Sequence, residues 1–309
     1  MTALRSYFHR RLGLIAITTT ALAYQTQALA FCRTTTCAQQ DPPPECVPGL
    51  MSGYCQLAGT PLYWPQACVS FSVQKDGSPA LGITADLFEG FVSESFANWQ
   101  NVACPEGGNP NIRLDKYPRV ECAEARYNQS SPNQNVWLFR DDAWPHKGDG
   151  DRTIALTLVS FNPKSGEIYD VDVELNSFNR QFKVESQGAG DDLQSVIQHE
   201  SGHFLGLAHS NDSQSTMWSN YNGSVDMRSL ELDDAAGLCA AYPPVAEPDE
   251  TCNADPRHGF STQCLEQTRK KSWAECSQVA AGTPPMSSAF AWLWVGAVVV
   301  TLGRRKYRS

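Results

Sequence analysis

Residues 198–210 read QHESGHFLGLAHS and place three histidines beside a glutamate and two glycines. The chain of 309 residues has 6 histidines, so half of them lie in this stretch. On a helix, residues four apart lie on one face, and His199 and His203 would therefore hold one metal ion through neutral imidazoles. Gly206 can adopt the positive φ that ends a helix, which would bring His209 to the same ion. Three protein ligands leave an open position, as in catalytic rather than structural zinc sites.

Glu200 follows the first of these histidines directly. This position is poor for a fourth ligand but good for taking a proton from a water activated by the ion. A single histidine is more often a core or surface side chain, whereas the whole H-E-x-x-H-x-x-G-x-x-H array is a specific signal. We therefore predict one catalytic Zn²⁺ held by His199, His203 and His209, with Glu200 as the general base.

The same stretch resembles the extended zinc motif of the metzincin metallopeptidases, and Ser210 after the third histidine resembles the matrixin branch of peptidase M10 type. The following STMWSNY supplies Met217, Trp218 and Tyr221 in the order of that family's methionine turn. A lone methionine would more often be ordinary core. The resemblance implies that Met217 lies in a turn below the metal and that segment 218–221 partly walls a specificity pocket.

Alternating apolar residues predict strands in CVSFSVQ, NVWLFRD, TIALTLVSF and GEIYDVDVEL. Helical spacing appears in TADLFEGFVSESFANWQNV, where Thr84 can cap the helix, and in DDLQSVIQHESGHFLGL. One strand-rich layer packed against two or three helices gives an α+β domain.

The resemblance implies a metzincin-like twisted mixed sheet of about five strands. It adds a first long helix, a zinc-binding active-site helix and a C-terminal helix in LELDDAAGLCAAYPP, with Asp233 and Asp234 in its first turn. By the same resemblance TIALTLVSF is the exposed edge strand, on which an extended peptide would pair by strand addition.

Five segments describe the domain organisation that we expect. Residues 1–30 have the basic, apolar and small-residue order of a signal peptide, with an uncleaved anchor helix as the alternative. The others are a Cys/Pro-rich leader at 31–60, the matrixin-like metallopeptidase domain at 61–244, a linker and small Cys-containing region at 245–285, and a hydrophobic segment with a basic tail at 286–309.

The last of these segments has an apolar run at 289–303 that is followed by basic residues. This order favours a stop-transfer transmembrane helix, with a buried terminal helix as the alternative. We therefore expect an exported protein, extracellular or at the cell surface, with membrane anchoring through the apolar run.

The chain has 11 cysteines, an odd number, which leaves one free or paired outside the chain. After an export signal they indicate disulfides rather than thiolate metal sites. Cys104 with Cys122 and Cys252 with Cys264 are near enough in sequence to be expected pairs, while the other connectivity stays open. We expect the leader to be a disulfide-tied spacer rather than a device that blocks the site.

A formal net charge of −9 argues against nucleic acid as a partner. Acidic residues suit Ca²⁺ as a second metal, although such loops are most often only solvated; they are Asp141, Asp142, Asp149, Asp151, Asp170, Asp172 and Glu174. Animal matrixins hold a second, structural zinc through further histidines. Outside the motif the mature chain has only His146 and His258, so we expect no such site.

These observations predict a zinc-dependent endopeptidase acting on protein or peptide substrates. One alternative is a zinc-containing surface binding or adhesion module, against which the intact Glu200 argues, since binding needs no base. The other is a zinc hydrolase of a non-peptide amide, which cleavage of unfolded protein would distinguish.

Overall fold

The computed structural model describes residues 30–38, 46, 51–53, 55–146, 150–185, 187–247 and 251–264, together with the backbone of 296–303. Its helices are α1 (Ala85–Gln100), α2 (Leu193–Phe204) and α3 (Leu232–Ala241), with short 3₁₀ turns at Pro79–Leu81 and Asp226–Arg228. Its strands are β1 (Cys32–Arg33), β2 (Met51–Ser52), β3 (Cys55–Gln56), β4 (Cys68–Val73), β5 (Arg113–Lys116), β6 (Val136–Phe139), β7 (Thr153–Phe161), β8 (Ile168–Leu175), β9 (Phe182–Lys183), β10 (Asp191–Asp192), β11 (Leu207–Ala208) and β12 (Gly296–Gly303).

A mixed sheet forms one layer of the domain. Its core order is β7-β8-β6-β4-β5, with β12 added beside β7. The pairings of β7 with β8 and with β12 are antiparallel, and the remaining pairings are parallel. Strands β4 and β6 are buried at every position, as expected where both faces of a sheet are covered. The predicted α+β fold with a mixed sheet of five strands and three helices is confirmed.

Helix α1 holds the metal-site helix α2 in place. Thr84 caps α1 as predicted, its side chain accepting a hydrogen bond from the backbone N–H of Leu87 at 3.3 Å. The buried face of α1 ends at Trp99, whose indole N–H donates to the carbonyl of Gln198 at 2.9 Å. Because α2 is buried along its whole length, its polar side chains must find partners inside the domain.

The predicted exposed edge strand is not exposed. Strand β7 pairs antiparallel with β12, from Phe161 opposite Gly296 to Thr153 opposite Gly303. The GAVVVTLG sequence of β12 is rich in β-branched residues, and an open sheet edge is a template for such a segment. The expectation that TIALTLVSF forms a free edge was therefore wrong for this chain.

The predicted transmembrane helix is also not observed. Gly296–Gly303, which is the second half of the apolar run, is a strand. None of the helices within the described ranges is long and apolar enough to cross a membrane. Residues 1–29, which contain nearly all of the expected signal peptide, lie outside the described residues, as do 304–309.

Disulfides join parts of the chain that are distant in sequence. Both expected pairs were wrong, because Cys104 bonds Cys239 and Cys122 bonds Cys264 across separations of 135 and 142 residues. The end of α1 meets α3 in space, and the segment after residue 250 packs along the sheet, so sequence proximity was misleading. The other bonds are Cys32–Cys55, Cys37–Cys46 and Cys68–Cys252, while Cys276 lies outside the described residues.

Three acidic side chains of β8 are buried on one side of the sheet. Asp170, Asp172 and Glu174 alternate along the strand and are each at most 3% exposed. Glu174 is paired, since Arg140 Nε donates to its Oε1 at 2.7 Å and His146 contacts its second oxygen. Burial raises the pKa of Asp170 to about 7, and burial with the neighbouring Asp170 carboxyl raises the pKa of Asp172.

This burial predicts a pH dependence of stability. The pKa of Asp170 rises from 3.8 to about 7 on folding, so the folded chain keeps a proton that the unfolded chain releases. The free energy of unfolding should therefore fall as pH rises through that range, by at most a few kcal/mol at about 1.4 kcal/mol per pKa unit. Asp170→Asn should remove this contribution, so that the variant gains stability relative to wild type between pH 4 and pH 7.

Urea unfolding of both proteins at several pH values measures this difference. Asp142→Asn, at a carboxyl exposed to solvent, is the control and should follow the wild type. Parallel curves for wild type and Asp170→Asn would contradict the prediction.

Candidate metal centre

The start of α2 is fixed by its first polar residues. The Asp192 carboxylate caps the helix by accepting from Ser195 N at 2.9 Å, and it forms an ion pair with Arg228. The backbone N–H of Asp192 donates to the hydroxyl of Tyr221 at 2.7 Å. These contacts set the position of α2, and thus of the residues one and two turns further on.

His199, His203 and His209 converge as the motif predicts. Their ring centroids lie 4.7 to 5.3 Å apart, and their potential ligand atoms all lie within 4.8 Å of one another. His199 and His203 are buried, while His209 is half-buried. Among the described residues, these three histidines form a cluster of side chains that could hold a metal ion.

Backbone carbonyls decide which imidazole nitrogens face the centre of the cluster. His199 Nδ1 lies 2.6 Å from Thr216 O, and His203 Nδ1 lies 2.8 Å from Leu207 O. A carbonyl only accepts, so both Nδ1 atoms carry the proton and both Nε2 atoms are left as lone-pair donors. These Nε2 atoms are buried and have no hydrogen-bond partner.

The protonation states of the three rings suit a metal. Burial, with the neighbouring His209, lowers the pKa of His199 to about 3, and burial lowers that of His209 to about 4. Burial and both neighbouring rings lower the pKa of His203 well below its ordinary value. Three neutral imidazoles are a donor set that fits zinc, so the residues present fit the metal that the motif implies.

The turn after α2 depends on one glycine and on the leader. Gly206 has φ +88°, and a Cβ there would lie 2.7 Å from Leu62 O, so only glycine fits without strain. The next two residues form β11, which pairs antiparallel with Cys32–Arg33 of the leader. The leader therefore supports the loop between the second and third histidines directly.

The methionine turn lies beneath α2. Met217 is 2% exposed, and a Cβ at Gly202 would lie 2.2 Å from its Sδ atom. The turn is tied to α3 by the buried Asp234 carboxylate, which accepts from Thr216 N at 2.9 Å and from Met217 N at 3.2 Å. Asp234 thus holds the turn whose Thr216 carbonyl accepts the hydrogen bond from His199 Nδ1. The place of Asp234 in the first turn of α3 did not reveal this role.

Glu200 is wholly buried beside the histidines. Its Oε2 accepts a hydrogen bond from the hydroxyl of Thr157 in β7 at 2.5 Å, while its Oε1 has no hydrogen-bond partner. Burial raises the pKa of Glu200 to about 8, and the Thr157 hydrogen bond acts in the opposite direction. Thr157 was not predicted from the sequence, although a hydroxyl between Ala155 and Val159 on one face of the strand was a signal for it.

Trp218 and Tyr221 have different places in the structure. Trp218 is half-buried and lines a cavity of about 150 Å³ together with Asn220, Ser224 and Met227. Tyr221 is buried, and its hydroxyl binds the start of α2 and the carbonyl of Ser224. Tyr221 therefore fixes the metal helix, and Trp218 is the one of the two that faces this cavity.

Two of the acidic residues considered for Ca²⁺, Asp141 and Glu174, have protein partners. Asp141 accepts from Ser78 Oγ at 2.7 Å and from Ala80 N at 3.0 Å, and Glu174 is paired with Arg140. Asp149 lies outside the described residues. Calcium binding stays a prediction.

The close contact below α2 predicts that Gly202 tolerates no side chain. Gly202→Ala would force Met217 to move and should lower the free energy of unfolding by about 1–3 kcal/mol, the usual cost of overpacking. Gly90→Ala in α1 is a matched control, because a Cβ there meets nothing within 4 Å. That change should be neutral or stabilise the helix by up to about 1 kcal/mol.

Thermal unfolding of the two variants beside wild type measures both effects. Equal midpoints for Gly202→Ala and Gly90→Ala would show that Met217 does not constrain this face of α2.

Comparison with known proteins agrees with this site. Residues 123–243 match the family model described as Matrixin. Human Matrix metalloproteinase-25 is 30% identical over 152 residues, which is 48% of this chain and 23% of that protein. Matrix metalloproteinase-C of Caenorhabditis elegans is 24% identical over 58% of this chain and 28% of its own length.

Metalloendoproteinase 1 of Glycine max is 25% identical over 63% of this chain and 57% of its own length. The chain thus spans less than two thirds of the length of each of these relatives. The matched region contains the sheet strands β6 to β8, the metal helix and the methionine turn. Residues 123–243 are therefore similar in sequence to the matrixin family, and this segment contains the histidine cluster.

Proposed function

We propose that this chain is a zinc-dependent endopeptidase that hydrolyses peptide bonds. The observation that carries this proposal is one buried cluster in which two imidazole Nε2 atoms and one carboxylate oxygen, Glu200 Oε1, have no hydrogen-bond partner. Burying three such groups costs free energy, and a site that binds a cation and activates water gives each of them a role. The names of the matched relatives support the same activity.

His199, His203 and His209 would hold the metal. Zinc bound there would lower the pKa of a water to about 7 and polarise the scissile carbonyl. Glu200 would take a proton from the attacking water on its Oε1 and then deliver it to the nitrogen of the leaving amine. The raised pKa of Glu200 favours the protonated carboxyl that the second step needs. A cation bound by the histidines would lower this pKa and so favour the ionised carboxylate that the first step needs.

The substrate would be a protein or peptide in extended conformation, paired with β7 by strand addition. In this chain β12 has that place. A substrate would therefore have to displace β12, and part of its binding free energy would be used for that exchange. We propose that release of the C-terminal segment precedes full activity.

The chain would act outside the cytoplasm. Five disulfides among the described residues fit a protein that folds in an oxidising compartment. We propose that residues 1–30 are the export signal and that the domain is 61–244, with the leader at 31–60 and the small Cys-containing region at 245–285 on either side. Anchoring through 289–303 stays a prediction.

Replacement of the base tests the activity. The zinc-loaded chain should cleave an unfolded protein such as casein, and Glu200→Ala should lower kcat by about 10²- to 10⁴-fold, the usual contribution of general acid–base catalysis. The zinc content of wild type and Glu200→Ala, measured by elemental analysis, should be equal, because Glu200 is not among the three proposed ligands.

Three outcomes are distinct. Loss of cleavage with zinc retained supports the mechanism. Cleavage of a small amide but not of casein would favour a hydrolase of non-peptide substrates. No cleavage by the zinc-loaded wild type, with or without the C-terminal segment, would favour a binding module.

The pairing of β7 with β12 predicts inhibition by the C-terminal segment. Deleting residues 286–309 should raise kcat/KM for a peptide substrate by about tenfold or more, since about 1.4 kcal/mol of pairing energy corresponds to one factor of ten. Deleting only 304–309 retains β12 and is the matched control, which should behave as the full chain. Equal kcat/KM for all three forms would show that β12 does not compete with substrate.

A further inference from the structure

Thr157 is a polar residue on an apolar strand face. In β7 its side chain points to the same face as Ala155 and Val159, because side chains alternate along a strand, and both of these neighbours belong to the hydrophobic core. Thr157 is itself 0% exposed. A hydroxyl at such a position costs free energy unless it has a partner.

Its partner is the carboxylate of Glu200. Thr157 Oγ1 donates to Glu200 Oε2 at 2.5 Å. This hydrogen bond links β7 to α2 between residues that are 43 positions apart in sequence. When Glu200 is ionised, this hydrogen bond has a charged acceptor, and such bonds are shorter and stronger than those between neutral groups. Only one of the two carboxylate oxygens is bound in this way.

Thr157 is a rigid donor. As a β-branched residue it has few side-chain rotamers, and its backbone lies in a strand paired with Val173 of β8. Glu200 by contrast has a flexible side chain with three rotatable bonds before its carboxylate. The stiffer group therefore determines where the more flexible one points.

We propose that Thr157 is a positioning residue for Glu200, an inference that rests on the proposed endopeptidase function. By binding Oε2, Thr157 would fix the carboxylate plane and leave Oε1, which has no hydrogen-bond partner, as the oxygen that receives the proton. The same bond would keep Glu200 out of the ligand set, which His199, His203 and His209 would form. Loss of a group that orients an active-site residue in this way typically lowers activity by about 10- to 100-fold.

The test uses the full chain with three changes. Thr157→Val keeps the shape and removes the hydroxyl, whereas Thr157→Ser keeps the hydroxyl and removes the methyl group. Thr35→Val is the matched control, because this buried threonine donates to Ala58 O at 2.8 Å in the leader, away from Glu200. Zinc content, zinc affinity by chelator competition, kcat and KM are measured for each.

We expect Thr157→Val to lower kcat by about 10- to 100-fold with zinc content unchanged and KM nearly unchanged. Thr157→Ser should restore kcat to within a few-fold of wild type, and Thr35→Val should not lower it. An unchanged kcat in Thr157→Val, or a loss that Thr157→Ser does not restore, would overturn the proposal. A loss of zinc parallel to the loss of activity would also overturn it, because Thr157 would then support only the fold.

A second measurement does not depend on activity. Thermal midpoints of the zinc-free wild type, Thr157→Val, Glu200→Ala and the double variant form a double-mutant cycle. The effect of Thr157→Val should be smaller in the Glu200→Ala background, because the carboxylate that it leaves unpaired is then absent. Additive effects would show that the two residues are not coupled and would overturn the proposal.

The two measurements separate this proposal from the proposed function. A wild type that holds zinc and cleaves nothing contradicts the endopeptidase activity, while the cycle still decides whether Thr157 holds Glu200. An active wild type with an additive cycle contradicts the role of Thr157 alone.

Discussion

The structure depends on the burial of a polar helix. Every residue of α2 is buried, among them two histidines and a glutamate, so each of their polar atoms needs a partner inside the domain. Two backbone carbonyls, Thr216 O and Leu207 O, accept from the Nδ1 atoms of His199 and His203. Since those carbonyls determine which nitrogens face the metal position, the segments that carry them must be held as firmly as the helix itself.

Much of the remaining structure supports these two carbonyls. Thr216 lies in the methionine turn, which Asp234 binds through two backbone N–H groups. Leu207 lies in the short strand that pairs with the leader, and Gly206 before it is in a conformation that favours glycine. Met217 fills the space that Gly202 leaves below the helix. Parts of the chain that do not touch a substrate are thus needed for the geometry of the site.

The sequence was informative where the pattern is local. The spacing of His199 and His203 predicts one helix face. The Thr84 cap and the alternation of β7 and β8 can be recognised within a few residues, and the family resemblance supplied the arrangement of these elements. The position of His209 beside the other two histidines was predicted from one glycine, Gly206. These features are set by backbone geometry over one or two turns, and the structure has each of them.

What was missed depends on contacts between distant residues. The pairing of Cys104 with Cys239 needs the relative positions of α1 and α3, which sequence spacing does not contain. The edge strand and the apolar run were both predicted, but the sequence did not show that β7 and β12 pair with each other. Thr157 differs, because an isolated hydroxyl on the core face of a predicted strand was visible. Its partner became identifiable only when β7 and α2 were placed together.

Burial of the site also links metal binding to folding. The Nε2 atoms of His199 and His203 are buried and have no hydrogen-bond partner, which costs free energy in the folded state alone. Burial also lowers the pKa of both rings, because a charged imidazole is even less stable there than a neutral one. A cation that binds the folded chain removes this cost and stabilises the fold by mass action. The five disulfides of the described residues act on the unfolded chain instead, and they would let the domain tolerate a centre that is unfavourable to bury.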